Sequence, residues 1–259
     1  HLAPVGWLAS KVLARRYAGL LRDQADPLAA QQRAYAALRR RLAGTEIARA
    51  SGLEGAPDLA AFARTVPARG YDFFAERVDR VADGCEDSVL FHGRPEFIGL
   101  SSGTTGSNNK RILHNRATLA AFQSWEFSLG AVIFHAGVNP LVSDRLVWGS
   151  MPLTMTRAAC GAEQGYLSGF LATRSRALLR ARTVPSPAVG RIADMQQKIR
   201  AAALEVRGRE VRIASAVPSY LIHLLEGLRA EWGVADLGGV WPKLDIVLYS
   251  GTAIDCYRA

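Results

Sequence analysis

The chain has 259 residues, 49% of them hydrophobic and 21% charged, which is the composition of a globular protein with one large or two small domains. With 24 Gly and 11 Pro it is not of low complexity, and its longest apolar run, near residues 129–138, is too short to cross a membrane. The net charge of +9 points weakly to nucleic acid, but the basic residues are not interleaved with aromatic ones, so we expect no such partner.

Residues 1–95 are predicted to form a helical N-terminal region. Asp26 followed by Pro27 is typical of a helix start, because the carboxylate accepts hydrogen bonds from free N–H groups and proline tolerates the first position. Gly44 lies where this helix would end. One buried face is expected to carry Leu28, Tyr35, Leu38 and Leu42. A second helix, ending at Gly84, is expected to bury Tyr71, Phe74, Val78 and Val81.

Residues 96–259 alternate short β-rich runs with longer helical runs, which indicates an α/β subdomain. Strands are predicted at residues 97–100, 145–148, 211–215 and 244–249. Helices are predicted at residues 119–134, 187–204 and 218–232, with a start at Ser186 and Pro187 and a stop at Gly233. We therefore expect a mixed or parallel sheet flanked by helices, with a long loop at residues 183–187.

Small polar residues follow the first predicted strand directly, in the sequence FIGLSSGTTGSNNKRIL over residues 97–113. Gly103 and Gly106 let the backbone turn and approach a ligand closely. Hydroxyls and successive amides can form an anion-binding concavity, to which Lys110 adds a positive charge. The position between a predicted strand and a predicted helix is where α/β sheets bind ligands. The stretch does not match the Walker A pattern of phosphate-binding loops. The alternative interpretation is a flexible loop without a ligand.

A second polar stretch, Ser250, Gly251 and Thr252, follows the last predicted strand in the same way. It is either a further ligand loop that reaches the same crevice or an ordinary turn. No Gly-x-Ser-x-Gly motif is present to supply a hydrolase nucleophile. The three cysteines, at positions 85, 160 and 256, are far apart, so we expect reduced thiols of a cytoplasmic protein and no metal site. The chain does not open with the charged and apolar regions of a secretory signal, so we expect no such signal.

The run Ser101-Ser102-Gly103-Thr104-Thr105-Gly106, with Lys110 beyond it, resembles the phosphate-binding motif of the adenylate-forming enzymes. The doubled Ser and the spacing to the Lys are most similar to the auxin-responsive acyl acid–amido synthetase family, which has bacterial members. Residues elsewhere resemble that family's other landmarks: Phe62, Val66, Pro67, Tyr71, Asp72, Val217, Pro218, Ser219, Tyr220, Trp241, Pro242, Tyr257 and Arg258.

This resemblance implies an adenylate-forming-enzyme-like N-terminal domain that uses ATP, with Mg²⁺ delivered by the nucleotide. Residues 96–259 would then be its α/β nucleotide-binding subdomain. A small carboxylic acid would attack the α-phosphate of ATP, and an amino acid would then displace AMP. The residues implied to hold the phosphates are Ser101, Ser102, Gly103, Thr104, Thr105, Gly106 and Lys110. Those implied near the nucleotide or the acyl group are Ser250, Gly251 and Thr252, and those implied to line the acid pocket are Pro218, Tyr220, Leu221 and Leu224.

The sequence stops at Ala259, before the family's adenine, ribose and Mg²⁺ motifs and its mobile C-terminal domain, so we expect the N-terminal part of a larger enzyme. Two other interpretations stay open: an acyl-CoA ligase with the same adenylating half, and a truncated nucleotide-binding module without catalytic activity. A basic nucleic-acid binder is the third, and the salt dependence of its binding would identify it.

Overall fold

The computed structural model of the chain describes residues 3–101, 109–141, 143–149, 153, 155–174, 177–251 and 256. Its internal contacts divide the chain into two compact units. The first unit consists of Lys11–Leu129 and Met155–Gly165, and the second of His1–Ser10, Gly130–Thr154 and Tyr166–Ala259. The sequence-based domain boundary after residue 95 stays a prediction.

The described residues form two four-stranded sheets and a series of helices. The strands are β1 (Phe97–Leu100), β2 (Arg111–His114), β3 (Asp144–Trp148), β4 (Thr156–Arg157), β5 (Glu163–Gly165), β6 (Thr183–Val184), β7 (Val211–Ala216) and β8 (Ile246–Tyr249). The helices are α1 (Ala3–Ala25), α2 (Pro27–Leu42), α3 (Glu46–Ala50), α4 (Leu59–Thr65), α5 (Asp72–Ala82), α6 (Arg116–His135), α7 (Leu167–Arg174), α8 (Ala177–Ala181), α9 (Pro187–Gly190), α10 (Met195–Val206), α11 (Pro218–Trp232) and α12 (Leu237–Val240). The predicted mixed α/β fold with a helical N-terminal region is confirmed.

The helices α2, α3 and α4 pack around Tyr35. Asp26 caps α2 as predicted, because its side chain accepts a backbone hydrogen bond in the first turn. Tyr35 is buried, and its hydroxyl donates to the carbonyl of Ala56 over 2.7 Å. The predicted buried face is wrong at Leu28 and Leu38, which are 59% and 43% exposed. The apolar cluster around Tyr35 involves the C-terminal half of α2, so the spacing rule overestimates the length of the buried face.

The first sheet has the order β2-β1-β5-β4, so that β1 lies between two neighbours. β1 pairs antiparallel with β2 and parallel with β5. The strand β2 was not expected from the sequence, in which the loop led straight to a helix. The helix α6 begins at Arg116, where the Asn115 side chain accepts a hydrogen bond from the N–H of Thr118. The helix α6 therefore starts three residues before the predicted start at residue 119, because its capping residue, Asn115, precedes the first apolar residue of the predicted helix.

His114, at the end of β2, lies against β1 in apolar surroundings. Its imidazole is buried and stacks on Phe97, with ring centroids 5.9 Å apart. A Cβ atom at Gly99 would lie 3.1 Å from Nε2 of this imidazole, so the glycine leaves room for the ring. Burial lowers the pKa of His114, because the imidazolium loses its hydration.

The second sheet is parallel throughout and has the order β6-β3-β7-β8. Its core includes Leu146 and Trp148 from β3 and continues through Ile199 of α10 and Leu224 and Leu228 of α11. The strands predicted at residues 145–148 and 211–215 are each one residue longer than expected, and β8 begins two residues later than predicted. The bounds of α11 agree with the prediction, including its stop at a left-handed glycine.

Two predictions in this unit are wrong. The helix expected at residues 187–204 is interrupted between α9 and α10. Asp194 caps α10, since its side chain accepts a hydrogen bond from the N–H of Gln197, and this starts a new helix inside the apolar pattern. Residues 183–184, expected in a loop, form the short strand β6 beside β3.

We expect His114 to reduce the stability of the fold as the pH falls below about 6.5, the ordinary pKa of histidine. Above that pH the side chain is neutral in both states, whereas below it the unfolded chain takes up the proton first. Urea unfolding across this range should show a larger loss of stability in the wild type than in His114→Gln. The same pH dependence in both proteins would contradict this assignment.

We also expect the contact between α10 and α11 to depend on the absence of a side chain at Gly227. A Cβ atom there would lie 2.0 Å from Cγ2 of Ile199. Overpacking costs about 1–3 kcal/mol, and the helix propensity of alanine offsets about 1 kcal/mol of this. Gly227→Ala should therefore lower the free energy of unfolding by up to about 2 kcal/mol. In an Ile199→Ala background the same change should be neutral or stabilising, and an equal loss in both backgrounds would rule out the contact.

Candidate functional site

The Ser/Thr-rich motif is the loop of a β-hairpin. Its two ends are joined by two hydrogen bonds, from the N–H of Ser101 to the carbonyl of Lys110 and from the N–H of Lys110 to Oγ of Ser101, both 2.9 Å long. The hydroxyl of Ser101 therefore helps to close the loop. The other motif residues lie outside the described residues: Ser102, Gly103, Thr104, Thr105 and Gly106.

The expected position of this loop is half correct. It leaves the carboxyl end of β1, which runs parallel to β5, as the ligand-binding edge of an α/β sheet requires. It then enters β2 rather than the helix that the sequence predicted. Lys110 is exposed, directly before β2.

Tyr71 holds the strand that comes after the loop. Its hydroxyl accepts a hydrogen bond from the N–H of Arg111 and donates one to the carbonyl of the same residue, both 3.0 Å long. The ammonium of Lys110 lies over the ring of Tyr71, with Nζ 5.4 Å from the centroid, which is within cation–π distance. One side chain thus fixes the backbone after the loop and contacts the cation at its base.

The side chain of Arg111 ties the same point of β2 to α5. Its guanidinium forms a two-pronged ion pair with Asp83, both contacts 2.8 Å long, and a further hydrogen bond with Asp79. The hydrogen bond from Arg111 lowers the pKa of the Asp83 carboxyl, and the pair raises the pKa of the guanidinium. The residue next to Lys110 is therefore fixed through its backbone by Tyr71 and through its side chain by α5.

The second polar stretch lies in the other unit. Ser250 and Gly251 follow β8 at the carboxyl edge of the parallel sheet, and both are exposed. Gly251 has a φ of 88°, a conformation that favours glycine. Thr252 lies outside the described residues. That this stretch shares a crevice with the Ser/Thr-rich loop stays a prediction.

The residues expected to line the acid pocket lie at the start of α11 and face the core. Pro218 and Leu224 are buried, and Tyr220 and Leu221 pack against the same apolar cluster. The carbonyl of Tyr220 accepts a hydrogen bond from Nε1 of Trp148 over 2.8 Å. Their contact with a substrate stays a prediction. Trp148 also lines a cavity in the same unit.

This cavity lies at the carboxyl end of β3 and was not expected from the sequence. It has a volume of about 90 Å³. Its wall includes Trp148, Arg180 and Lys198, which come from three separate elements, and its other residues are Val147, Gly149, Leu153, Ser168, Thr183, Pro185, Pro187 and Gly190. The one feature of the sequence that could have indicated this cavity is Lys198, a charged residue next to Ile199 on the apolar side of a predicted helix.

The described part of the chain carries little else that would indicate a site. None of its helices combines the length and the apolar character needed to span a bilayer. Its His, Cys, Asp and Glu side chains form no group of three or more suited to a metal ion. Cys85, Cys160 and Cys256 are unpaired, in agreement with the expected free thiols.

Known proteins with similar sequences belong to one family. A family model described as the GH3 family N-terminal domain matches residues 16–235 of the chain. Jasmonoyl-L-amino acid synthetase GH3.3 of Oryza sativa subsp. japonica is 42% identical over 81 residues, which cover 30% of this chain and 18% of that protein. Indole-3-acetic acid-amido synthetase GH3.8 of Oryza sativa subsp. indica is 39% identical over 83 residues, or 32% of this chain and 14% of that protein.

Two solved structures with a similar fold are both of acyl acid amido synthetases. A GH3.15 acyl acid amido synthetase superposes with a TM-score of 0.61 at 20% identity, over 76% of this chain and 35% of the other. AtGH3.15 acyl acid amido synthetase in complex with 2,4-DB gives a TM-score of 0.66 at 20% identity, over 84% of this chain and 38% of the other. These matches show the fold, and they span well under half of each solved chain.

We expect the hydroxyl of Tyr71 to stabilise the hairpin independently of its ring. Tyr71→Phe removes both hydrogen bonds to Arg111 and should lower the free energy of unfolding by about 1–3 kcal/mol, since the two backbone groups lose their partner. Tyr249→Phe, at a half-exposed position on the edge strand β8, is the matched control and should change stability little. Urea unfolding measures the free energy of unfolding of both variants. Equal values would show that the two hydrogen bonds from Tyr71 to the Arg111 backbone do not stabilise the fold.

Proposed function

The chain belongs to the GH3 family, and on that premise we propose that it forms the phosphate-binding part of an ATP-dependent ligase that joins a small carboxylic acid to an amino acid. The observation that carries this proposal is the hairpin loop with Lys110 fixed at its base. A loop rich in hydroxyls and small residues, with one ammonium group beside it, matches the donor set that a polyphosphate requires.

The proposed reaction has two steps that balance without an oxidant or reductant. A carboxylate oxygen of the acid bonds to the α-phosphorus of ATP, the bond to the bridging oxygen breaks, and pyrophosphate leaves with its electron pair. The amine of the amino acid then attacks the activated carbonyl, loses a proton and displaces AMP. Catalysis of such steps is mainly positioning and charge stabilisation, which a donor-rich loop supplies.

The role of this chain's residues would be to hold the phosphates. Lys110 would contact the β- and γ-phosphates, and Tyr71 and Arg111 would keep the base of the loop in register. We propose that Mg²⁺ arrives with the nucleotide, since phosphate oxygens are its usual ligands. The names of the rice relatives, both of which conjugate an acid with an amino group, favour an amino acid over coenzyme A as the acceptor. The unpaired cysteines support a cytoplasmic location.

We expect Lys110→Ala to weaken catalysis of pyrophosphate exchange by the complete ligase proposed above about ten- to a hundredfold. A charge-assisted hydrogen bond contributes roughly 1.5–3 kcal/mol, and each 1.4 kcal/mol corresponds to about one decade. The assay follows labelled pyrophosphate into ATP with a panel of aromatic and aliphatic acids. Lys243→Ala is the control, because Lys243 forms an exposed ion pair with Glu210 in the other unit.

The 259-residue chain alone should bind ATP weakly and should not catalyse exchange. Unchanged exchange in full-length Lys110→Ala would mean that the loop has another role. Robust exchange by the 259-residue chain would show that it holds all the groups the first step needs.

A further inference from the structure

The connection between α5 and β1 brings a serine and a histidine together. Oγ of Ser88 lies 2.9 Å from Nδ1 of His92, and Nε2 of the same imidazole lies 2.8 Å from the carbonyl oxygen of Ala43. A carbonyl oxygen can only accept a hydrogen bond, so in the neutral imidazole the proton is on Nε2 and Nδ1 keeps its lone pair. Nδ1 can therefore accept the hydroxyl proton of Ser88, as the base beside a nucleophilic serine must.

Backbone contacts hold the serine in an unusual conformation. Ser88 has a φ of 59°, in the left-handed region that residues with a side chain rarely adopt. The carbonyls of Ser88 and Val89 accept hydrogen bonds from the N–H groups of Glu46 and Ile47, both 2.9 Å long. Such a conformation persists only where its surroundings hold it, and it is frequent at reactive sites. The start of α3 thus holds the serine, and the residue that ends α2 holds the histidine.

A carboxylate lies beside this pair. Oδ1 of Asp87 is 3.1 Å from Oγ of Ser88 and accepts a hydrogen bond from the N–H of Gly93 over 2.7 Å. The single hydroxyl proton of Ser88 can go to either neighbour, and Nδ1 of His92 is the closer one.

The charge of this carboxylate affects both the base and the choice of substrate. The Gly93 hydrogen bond lowers the pKa of Asp87, followed by the hydroxyl of Ser88, so the carboxyl is ionised near neutral pH. An ionised carboxylate stabilises the imidazolium that forms when His92 takes a proton. It also repels anionic substrates such as phosphate esters, and a neutral carbonyl compound avoids that repulsion.

Room for a small molecule adjoins the histidine. An open groove of about 430 Å³ lies at the end of α2, and its lining includes Ala43, whose carbonyl holds His92. Small-molecule sites usually have volumes of roughly 300–1,000 Å³. Ala48 and Leu53 give the groove a buried apolar part, against which a small acyl group would fit. The other lining residues are Ala36, Arg39, Arg40, Gly44 and Glu54.

We propose that Ser88 is a nucleophile that takes an acyl group from a small neutral ester, with His92 as its general base. This activity goes beyond the proposed function and uses neither ATP nor the Ser/Thr-rich loop. Oγ of Ser88 bonds to the ester carbonyl carbon while its proton passes to Nδ1 of His92. The imidazolium gives this proton to the departing alkoxide as the ester C–O bond breaks. Water then attacks the acyl group, His92 takes a proton from it, and Oγ regains a proton as the acid leaves.

Labelling of the 259-residue chain with a fluorophosphonate, which bonds covalently to nucleophilic serines, tests this site. We expect an adduct at Ser88, located by mass spectrometry of peptides, and we expect Ser88→Ala to remove it. Ser51→Ala is the matched control, because Ser51 is also half-buried in this unit and its hydroxyl donates to a nearby carbonyl. The neutral ester p-nitrophenyl acetate should compete with the label, and p-nitrophenyl phosphate should not.

Two changes at His92 separate a base from a structural support. The amide of His92→Gln can still donate to Ala43 and accept from Ser88 but cannot take a proton, so labelling should slow about a hundredfold. Urea unfolding should show nearly unchanged stability for this variant. In His92→Ala, added imidazole should restore part of the labelling rate, because it supplies the missing base.

The wild-type chain alone can overturn the inference, whether or not the variants fold. No adduct at Ser88, or an adduct formed at another serine in preference, would show that this hydroxyl is not activated. Labelling at the wild-type rate in folded His92→Gln would show that the imidazole only supports the loop. Competition by p-nitrophenyl phosphate but not by the acetate would contradict the proposed class of substrate.

Discussion

Hydrogen bonding along both edges of β1 is the constraint on which the first unit depends. The strand pairs with β2 on one side and β5 on the other, so neither its register nor its direction can change alone. Phe97 and Ile98 are fully buried there, which anchors the strand through apolar contacts as well. The position at which the chain leaves β1 toward the Ser/Thr-rich motif is thereby fixed.

Polar contacts fix the strand β2 on the far side of the loop. The hydroxyl of Tyr71 contacts both backbone groups of Arg111, and the guanidinium of Arg111 pairs with Asp79 of α5 and with Asp83 directly after it. Exposed ion pairs contribute little singly, but a two-pronged pair between fixed elements restricts geometry more than it adds stability. The backbone at Arg111, next to Lys110, is therefore held by contacts with Tyr71, Asp79 and Asp83.

Parallel strands impose a different constraint on the second unit. Because β3, β6, β7 and β8 run in one direction, their carboxyl ends meet at one edge of the sheet. Ser250 and Gly251, the start of α11 and the cavity beside β3 all lie at that edge as a consequence. The core under the sheet, where Gly227 lets α11 approach Ile199 of α10, fixes the helix that carries Lys198.

The sequence predicted best where a single residue type imposes a local conformation. Asp26 and Ser186 cap helices as expected, and Gly233 ends α11 at a positive φ. It predicted poorly where tertiary contacts decide. The strand β2 is four residues long and exposes Ile112, so its hydrogen bonds to β1, which no local pattern shows, are what make it a strand. The cavity is lined by Trp148, Arg180 and Lys198, which lie on three different elements. They come together because of the order of the strands, and the spacing of residues along the sequence does not show it.

Lys110 of the first unit and Lys198 of the second lie in opposite surroundings, one exposed and one buried. Lys110 is exposed, and an aromatic ring restrains its ammonium without taking it out of water. A polyphosphate carries several charges and keeps part of its hydration, so an exposed cation in a polar loop can bind it at little cost. Lys198 is buried beside Trp148, where removing water from a single charge is costly and its attraction to an anion is correspondingly stronger. Burial therefore lowers the pKa of the Lys198 ammonium, because its charged form loses hydration, whereas Lys110 stays in contact with water.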